Sequence, residues 1–593
     1  MPAVIMTSSS RFVRRTCSLL LLLAVLAAPA WAQAPEMAPT RADTGMVVSA
    51  RVEASEAGVA MLKQGGNAVD AAVATGFALA VVYPRAGNIG GGGFMIIRND
   101  DGTETTIDYR EKAPMEATRT MYQDENGDVV PQRSREGYLA SGVPGSVAGL
   151  LKALEEHGTL SRAQVLAPAI RLAEEGFPLS QRQANDFNRR YETFAKYPGT
   201  KRYFTKGSSD AYYETGEVFV QQDLAEVLRR VRDQGRAGFY EGETADLIVS
   251  EMERGGGLIS HADLQDYQAV EREPVRANYR GYNVISMGPP SSGGVALAQL
   301  FNAVEPYDIG EMGYQSSASV HLMGEAMRRV YADRARWLGD SDFFDVPVDG
   351  LIDPAYMARR MQSFDPNSTS PTETIEHGNP MAFESAETTH YSVVDGDGNA
   401  VSVTTTINGS YGSKVVVDGA GFFLNNEMDD FSAKPGVPNM YGLVGSEANA
   451  VEPEKRMLSS MSPTIVEDPD GELFMVIGTP GGSTIITTVF QVILNVIDHG
   501  MNMQEAVAAP RIHHQWKPNN LWYERFGLGA DAVSNLEDRG WSVIEGSEWG
   551  GMTWGLADGI TVVQEPVNPR SNATKRVLHG GADPRGNDTA VGY

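Results

Sequence analysis

The sequence predicts an α+β fold in which hairpins build antiparallel sheets and helices cover them. Strand-like runs broken by short Gly- and Asp-rich turns at 94–110 and 388–407 indicate hairpins. Apolar segments with helical spacing lie at 54–80, 142–176 and 317–339. Because strands joined by hairpins pair antiparallel, an αββα sandwich is favoured over a doubly wound parallel sheet.

The composition is typical of a globular protein, with 42% hydrophobic and 21% charged residues in a chain of 593. The formal net charge of −27 repels nucleic acid and anionic membranes, and no basic cluster offsets it. We therefore expect no nucleic-acid partner.

The first 32 residues are typical of a secretory signal peptide. Basic residues precede an apolar run from Leu19 to Ala28, and small residues follow it. We expect cleavage after Ala32, with Ala34 as the alternative. Because a bilayer span needs about 20 apolar residues, this run is too short for an anchor. The prediction is a periplasmic or secreted protein that has no membrane anchor after signal removal.

Several kinds of catalytic site are excluded by absent residues. The only cysteine, Cys17, is removed with the signal, so the mature chain has no thiol for a disulfide, zinc site or nucleophile. The chain has no G-x-S-x-G elbow, and Gly90–Gly93 lacks the lysine of a phosphate-binding loop. His513 and His514 are adjacent, so on a strand they point to opposite faces. We expect them to be structural, and we expect neither metal nor cofactor.

A hairpin centred on Asp397 would oppose Thr388 to Thr406, within hydrogen-bonding reach of their hydroxyls. Thr388 follows a polar stretch, 363–387, which we expect to be exposed and mobile. A cut before Thr388 would free an α-amine with a pKa of about 7.7–8.0, suited to act as the base for its own hydroxyl. On spacing alone, a threonine-rich strand pair is the simpler interpretation.

Seven sequence runs change that balance. The run from Thr388 to Asp395, TTHYSVVD, resembles the start of the small subunit of γ-glutamyltranspeptidases, which are N-terminal-nucleophile hydrolases. Further runs match the same family in family order and cover essentially all of the chain after the signal: GGGGFM at 90–95, DYRE at 108–111 with Ala113-Pro114, PPSSGG at 289–294, LNNEMDDF at 424–431, LSSMSPT at 458–464 and GTPGGS at 478–483.

The resemblance implies a four-layer αββα sandwich of the N-terminal-nucleophile type, built jointly by two subunits. The precursor would cut itself between Glu387 and Thr388, giving a large subunit of residues 33–387 and a small catalytic subunit of residues 388–593. These two chains form a heterodimer. Thr388 would then attack the γ-carbonyl of the substrate and form a γ-glutamyl ester, while Thr406 orients its hydroxyl.

The resemblance also assigns an oxyanion site and a lid. Gly481 and Gly482 match the family's two backbone N–H donors to the oxyanion. Residues 435–443 resemble the lid loop of many bacterial members, and Tyr441 matches its aromatic tip. A lid favours small γ-glutamyl compounds such as glutathione over poly-γ-glutamate.

A γ-glutamyl head group carries an α-carboxylate and an α-ammonium, so its site needs partners of both signs. By resemblance, the carboxylate partners are Arg110, Ser459 and Ser460, and the ammonium partners are Asn408, Glu427 and Asp430. At 427 this chain has Glu, where many bacterial members have Gln.

The function implied is an autoprocessing γ-glutamyltransferase and glutathione hydrolase. It would pass the γ-glutamyl group to water, amino acids or dipeptides. One alternative is a same-fold acylase for glutaryl or cephalosporin-type amides, which would not need the ammonium-binding residues. The other is an unprocessed, non-catalytic binding protein, which would keep an intact chain.

Overall fold

The structure is a computed structural model that describes residues 37–377, 389–444, 446–546, 554–568 and 573–593. The predicted signal peptide and the residues of the predicted cleavage site, Glu387 and Thr388, lie outside these ranges. The described residues from Pro39 onwards form one compact unit. Within the described ranges, no helix is both long and apolar enough to cross a membrane.

The strands are short and spread along the whole chain. They are β1 (Thr40–Ala42), β2 (Met46–Ser49), β3 (Gly92–Arg98), β4 (Glu104–Asp108), β5 (Phe177–Pro178), β6 (Val218–Phe219), β7 (Val270–Arg272), β8 (Val275–Tyr279), β9 (Tyr282–Ser286), β10 (Thr389–Val394), β11 (Ala400–Thr406), β12 (Thr464–Glu467), β13 (Leu473–Gly478), β14 (Ile512–His513), β15 (Leu521–Tyr523), β16 (Val543–Glu545), β17 (Asp558–Pro566), β18 (Thr574–Gly581) and β19 (Thr589–Gly592).

Helices connect these strands and are concentrated in the first two thirds of the chain. They are α1 (Val52–Lys63), α2 (Ala68–Val82), α3 (Gln132–Arg135), α4 (Ser146–His157), α5 (Arg162–Glu175), α6 (Gln181–Arg189), α7 (Tyr191–Phe194), α8 (Pro198–Phe204), α9 (Gln222–Gln234), α10 (Ala237–Tyr240), α11 (Gly242–Gly255), α12 (His261–Asp266), α13 (Gly293–Val304), α14 (Ile309–Met312), α15 (Ser317–Trp337), α16 (Val348–Ile352), α17 (Pro354–Met361), α18 (Thr484–Ile497), α19 (Met503–Ala508) and α20 (Ala530–Asp538).

Two large sheets organise the molecule. The first has the strand order β19-β2-β10-β11-β3-β4-β7 and the second the order β1-β18-β17-β13-β12-β9-β8. Every neighbouring pair in both sheets is antiparallel. This confirms the predicted α+β class with antiparallel sheets.

Strand residues alternate between two apolar clusters, as the period of two requires. In the first sheet, Met95 packs in a cluster with helices α1 and α2, whereas its neighbour Ile96 packs in a separate cluster. That separate cluster also contains Ile465 and Val476 of the second sheet. The two sheets therefore share a core on one face, and each has a helix-lined core on its other face.

The predicted helices form close to the expected positions. The apolar segment 54–80 forms two helices, because α1 ends at Lys63 and α2 starts after the Asn67 cap. The Asn67 side chain accepts hydrogen bonds from the N–H groups of Val69 and Asp70, a capping box that begins α2.

The hairpin β10–β11 has the predicted register, with Thr389 opposite Thr405 and Val394 opposite Ala400. The polar stretch before it differs from the prediction. Most of residues 363–377 are exposed, but Thr372 and Ile375 are buried, and hydrogen bonds tie the segment to helix α15. Helix α15 carries charged side chains that satisfy the polar backbone of this segment.

Candidate active site

A buried ion cluster lies just beyond the end of β4. Arg110 donates from Nη1 to Glu427 and from Nη2 to Asp430, and all three side chains are fully buried. Its Nη1 also lies 3.5 Å from Oε2 of Glu111. These four residues, Arg110, Glu111, Glu427 and Asp430, are called the site ion cluster below. The predicted carboxylate-binding arginine is thus paired with two predicted ammonium-binding carboxylates.

Two backbone carbonyls also fix the position of the Arg110 guanidinium. Its Nε donates to the carbonyl of Met457 at 3.1 Å, and Nη2 donates to the carbonyl of Leu458 at 3.0 Å. The next residues along the chain are Ser459 and Ser460. The structure therefore brings the two predicted serines to the same place as the arginine.

The carboxylates of the site ion cluster keep unused hydrogen-bonding capacity. Within the described part of the chain, Glu111 Oε1, Glu427 Oε2 and Asp430 Oδ1 are buried without a hydrogen-bond partner. Buried polar atoms are normally paired, because an unpaired one costs about 1–3 kcal/mol. Glu111 and Glu427 can hydrogen-bond to each other only when one of them is protonated. Acceptors that lack a donor in the ionised state, gathered around one arginine, indicate a site that a ligand completes.

Burial dominates the protonation of this cluster. It raises the pKa of Glu427 to about 7, against the lowering effect of Arg110. It also raises the pKa values of Asp430 and Glu111 well above the usual range. Burial lowers the pKa of Arg110, but Glu427 and Asp430 outweigh it and hold the guanidinium charged. Glu427 therefore titrates near neutral pH, and the arginine stays cationic.

Asn425 and the glycine run position Glu427 and Asp430, which lie on a short 3₁₀ turn. Asn425 Nδ2 donates to the carbonyls of Gly90 and Gly142, at 3.0 and 2.8 Å, and its Oδ1 accepts from the N–H of Glu427 at 3.0 Å. A Cβ on Gly90 would lie 2.2 Å from the carbonyl oxygen of Phe423. The glycine run therefore serves close backbone packing beside the site.

Thr406 and Asn408 lie at the end of β11. Thr406 Oγ1 accepts from the N–H of Asn408 at 2.7 Å, and Asn408 has a left-handed backbone with φ of 63°. Asn408 Nδ2 donates to the carbonyl of Asn426 at 2.9 Å, beside Glu427. Because residue 388 lies outside the described ranges, its contact with Thr406 stays a prediction.

The predicted lid loop is folded onto the site. Tyr441 is only 3% exposed, and its hydroxyl donates to Asn408 Oδ1 at 2.7 Å. The loop is held by Met440, whose N–H donates to Asp429 Oδ2 at 3.0 Å, and by Asn439, whose N–H donates to the carbonyl of Leu443 at 2.9 Å. The tip aromatic therefore covers an ammonium-binding candidate.

The two predicted oxyanion glycines precede helix α18. Gly481 and Gly482 have φ values of 139° and 61°, which favour glycine. Neither N–H donates to a described residue, so both are available at a helix N-terminus. A Cβ on Gly478 would lie 2.4 Å from Nδ1 of His390, which places this loop against the start of β10.

The two predicted serines are held by a neighbouring loop and by a residue that we did not predict. The carbonyl of Ser459 accepts from the N–H and the hydroxyl of Ser292, both at 2.7 Å. Ser460 Oγ accepts from Nη2 of Arg334 on helix α15. The signal for Arg334 was a run of charged residues within a helix that is otherwise packed in the core.

The adjacent histidines are both buried. His513 Nδ1 lies 2.9 Å from Thr487 Oγ1, whereas His514 Nε2 lies 3.4 Å from Asn519 Oδ1. Burial lowers the pKa of His513 to about 4 and that of His514 well below its usual range. Both imidazoles are neutral at neutral pH.

One group of described residues has the spacing of a metal site, namely Glu156, His157 and Glu271. Both carboxylates already pair with Lys152, at 2.7 and 3.1 Å. This group is therefore a surface ion pair with a nearby histidine, and no residue of the site ion cluster belongs to it.

Comparison with solved structures first defines the class. The cephalosporin acylase from Bacillus halodurans superposes with a TM-score of 0.81 at 26% identity, covering 95% of this chain and 98% of that chain. Helicobacter pylori γ-glutamyltranspeptidase superposes with a TM-score of 0.56 at 47% identity, covering 57% of this chain and 97% of that chain. This chain is therefore an α+β protein that shares the fold of these two structures.

Sequence comparison then defines the family. The model of the γ-glutamyltranspeptidase family matches residues 54–593. The glutathione hydrolase proenzyme of Pseudomonas sp. (strain A14) is 47% identical over 563 residues, which are 94% of this chain and 96% of that protein. That of Escherichia coli (strain K12) is 46% identical over 559 residues, with coverage of 94% and 93%. The chain belongs to the γ-glutamyltranspeptidase family.

Acylases are more distant in sequence. The acylase ACY 1 proenzyme of Pseudomonas sp. (strain V22) is 40% identical over 516 residues, which are 86% of this chain and 89% of that protein. The resemblance found from the sequence motifs is therefore confirmed at the level of the family.

Proposed function

We propose that this chain is the proenzyme of a γ-glutamyl hydrolase and transferase that acts on glutathione and related small γ-glutamyl compounds. The site ion cluster is the main support. It combines one permanent cation with carboxylates that have unpaired oxygens, and a γ-glutamyl head group carries the complementary carboxylate and ammonium. Family membership and identity to glutathione hydrolase proenzymes support the same activity.

The first step is self-cleavage between Glu387 and Thr388. The Thr388 hydroxyl attacks the carbonyl carbon of Glu387, the peptide C–N bond breaks, and the nitrogen becomes a free α-amine. Water then hydrolyses the resulting ester, releasing the Glu387 carboxylate and restoring the Thr388 hydroxyl. The strand register at Thr389 and Thr405 supports this geometry, because its continuation opposes position 388 to Thr406.

In the mature enzyme the Thr388 α-amine takes the hydroxyl proton while Thr388 Oγ attacks the substrate γ-carbonyl. The N–H groups of Gly481 and Gly482 stabilise the oxyanion, each worth about 2.7–4 kcal/mol in systems of this kind. The leaving amine receives the proton. Water, or the amine of an amino acid or dipeptide, then attacks the γ-glutamyl ester and regenerates Thr388.

Substrate binding replaces the internal ion pairs of the site ion cluster. The substrate α-carboxylate binds the Arg110 guanidinium and the hydroxyls of Ser459 and Ser460. The substrate α-ammonium binds Glu427, Asp430 and Asn408. Because each charge of the substrate replaces a charge of the same sign, Arg110 and the carboxylates remain neutralised when the site closes.

The two processed chains stay together in a four-layer αββα sandwich. In the first sheet, β10 and β11 follow the cleavage site, and they lie between β2 and β3, which precede it. The shared core between the sheets and the helix-lined core on each outer side support the layer order. Residues 33–387 and 388–593 therefore form an interleaved heterodimer.

The basic residues and apolar run within the first 32 positions support export of the enzyme to the periplasm or the exterior. The folded lid supports small substrates, because Tyr441 covers Asn408 and leaves little room for a polymer. We expect glutathione and other small γ-glutamyl compounds to be the donors.

Expression without the signal, together with Thr388→Ala, tests the proposal. We expect the unsubstituted chain to yield a small subunit whose N-terminal sequence begins Thr-Thr-His, and to release p-nitroaniline from γ-glutamyl-p-nitroanilide. Thr388→Ala should do neither. An intact chain in both preparations would favour the non-catalytic alternative. Faster turnover of the glutaryl anilide than of the γ-glutamyl anilide would favour the acylase, which has no need of Glu427 and Asp430.

A further inference from the structure

Helix α15 contacts two different loops of the candidate site with side chains one turn apart. The Tyr331 hydroxyl donates to the carbonyl of Ser483, which follows the two oxyanion glycines. Arg334 donates from Nη2 to Ser460 Oγ and from Nε to Ser292 Oγ, the latter at 3.0 Å. Its guanidinium carbon lies 5.5 Å from the centroid of the Tyr331 ring. One helical turn therefore links the oxyanion loop to the serine loop.

The direction of the Arg334 hydrogen bond decides what Ser460 can do. A guanidinium has N–H donors and no acceptor, whereas a serine hydroxyl has one hydrogen and two lone pairs. Ser460 Oγ must therefore accept from Arg334, and its own hydrogen is not used in that bond. The hydroxyl hydrogen of Ser460 therefore remains available for another acceptor, such as a ligand in the site.

Hydrogen bonds from neighbouring groups also orient Ser459. Its Oγ accepts from the N–H of Met461 at 3.1 Å, so its hydrogen also remains for another acceptor. Its carbonyl accepts from both the N–H and the hydroxyl of Ser292, and Ser292 Oγ accepts from Arg334. Arg334 thus braces both serines, Ser460 directly and Ser459 through Ser292.

We propose that Arg334 is a positioning residue that makes Ser460 a committed hydrogen-bond donor and thereby selects substrates with an α-carboxylate. It acts through the serines and does not touch the substrate. Two hydroxyl donors beside the charged Arg110 suit an anionic acceptor and suit neither an ammonium nor an apolar group. This inference rests on the proposed function, because it concerns recognition of the γ-glutamyl head group.

A purely structural role for Arg334 makes a different prediction. A residue that only ties helix α15 to two loops would weaken binding of all ligands equally when it is removed. A residue that orders the serine hydrogens would weaken only ligands that carry the α-carboxylate. L-glutamate and 4-aminobutyrate separate the two roles, because they differ by that carboxylate alone.

The experiment measures inhibition constants of these two compounds against hydrolysis of γ-glutamyl-p-nitroanilide. The variants are Arg334→Met, Arg334→Lys, Ser460→Ala and the double variant Arg334→Met with Ser460→Ala. Arg336→Met is the matched control, since Arg336 lies on the same helix and its guanidinium stacks on Trp337.

We expect Arg334→Met to weaken inhibition by L-glutamate about tenfold or more, the effect of a lost hydrogen bond to a charged group. Inhibition by 4-aminobutyrate should change less than about twofold. Arg334→Lys should weaken inhibition by L-glutamate by only about threefold, because an ammonium still donates to one hydroxyl but lacks the planar fork that reaches two. In the Ser460→Ala background Arg334→Met should add nothing, and Arg336→Met should behave as the unsubstituted enzyme.

Equal losses for both inhibitors, or effects that add in the double variant, would overturn the role of Arg334 and leave the proposed function intact. If Arg334→Met does not fold, Arg334→Lys decides, and an unchanged preference for L-glutamate in that variant overturns the inference. An unsubstituted enzyme that does not hydrolyse γ-glutamyl-p-nitroanilide removes the proposed function itself.

Discussion

Two buried ion clusters in this protein use their carboxylates in opposite ways. On helix α15, Glu325 Oε1 accepts from Arg328, from the Thr369 hydroxyl and from the N–H of Ser370, each at 3.0 Å, and Oε2 accepts from Arg329. In the site ion cluster, each of the three carboxylates leaves one oxygen without a partner among the described residues. Both clusters are buried, so exposure does not explain the difference.

Protonation follows this difference in hydrogen bonding. Burial raises the pKa of Glu325, but Arg328 and Arg329 outweigh it, and the pKa is lowered. Burial raises the pKa of Glu427 to about 7 in spite of Arg110. On α15 both oxygens of the Glu325 carboxylate are hydrogen-bonded, and this carboxylate stabilises the fold by fixing the segment at 369–370. A cluster with unpaired acceptors costs stability, which agrees with the proposed role in binding a ligand.

Removing the arginine of the site ion cluster should give the largest effect. Arg110→Met leaves buried carboxylates without a cation and removes the proposed partner of the substrate carboxylate. We expect kcat/KM for γ-glutamyl-p-nitroanilide to fall about 10³-fold. Arg119→Met is the control, because the Arg119–Glu447 pair is exposed at 48% and 66%. Activity retained within tenfold would show that the cluster is structural.

The ion cluster on helix α15, formed by Glu325, Arg328 and Arg329, should affect stability and not activity. Glu325→Gln leaves Arg328 and Arg329 buried without their carboxylate, which costs about 3–5 kcal/mol of stability. We expect a clearly lower Tm with an unchanged KM for γ-glutamyl-p-nitroanilide, and Glu447→Gln should leave both unchanged. A normal Tm together with a raised KM would place this cluster in the substrate site.

The pH dependence of KM should distinguish the protonation states. Glu427 holds an ammonium only when it is ionised, and with its pKa near 7 it becomes neutral as pH falls. We expect KM of the unsubstituted enzyme to rise about tenfold per pH unit below pH 7. Glu427→Gln cannot titrate, so its KM should be higher and flat from pH 6 to 8. The same acid limb in Glu427→Gln would assign the titration to another group.

The same raised pKa has a consequence for stability, and the sign is opposite in the two clusters. A carboxyl whose folded pKa is raised loses stability as pH rises from its unfolded pKa to its folded pKa. Glu427→Gln should therefore gain more Tm at pH 8 than at pH 5. Glu325, with its lowered pKa, contributes stability that is lost as pH falls. Thermal unfolding at both pH values compares the two substitutions directly.

The smallest effect should come from the lid. Tyr441→Phe removes the hydroxyl that donates to Asn408 and leaves the ring in place. One lost hydrogen bond of about 0.5–1.5 kcal/mol predicts a two- to tenfold rise in KM. We also expect more hydrolysis relative to transfer, measured with and without a dipeptide acceptor. Unchanged values would show that the lid opens fully before the substrate binds.

Local structure followed from the sequence because its causes are local. The helical segment predicted at 317–339 is observed at Ser317–Trp337, and the one predicted at 142–176 as two helices, Ser146–His157 and Arg162–Glu175. The hairpin register was predictable because Asp395 closes the turn, its Oδ1 accepting from the N–H groups of Asp397, Gly398 and Asn399. Short-range periodicity and turn chemistry suffice for such features.

The polar stretch before the predicted cleavage site has contacts that local sequence does not predict. Its composition predicts an exposed linker, and much of residues 363–377 is exposed. Ser370 of this stretch is hydrogen-bonded to Arg328 and Glu325, which lie 42 and 45 positions earlier in the chain. Composition contains no information about such partners.

The sequence by itself determined the family, the helices and the hairpin register, and it predicted most residues of the candidate site but neither Glu111 nor Arg334. Only the tertiary structure decided how those residues are paired. Arg110 meets Glu427 and Asp430 across 317 and 320 residues, and Arg334 meets Ser460 across 126. Motifs identify residue types, but burial and long-range contact set their charges and leave particular oxygens unpaired, and those properties arise only when distant segments fold together.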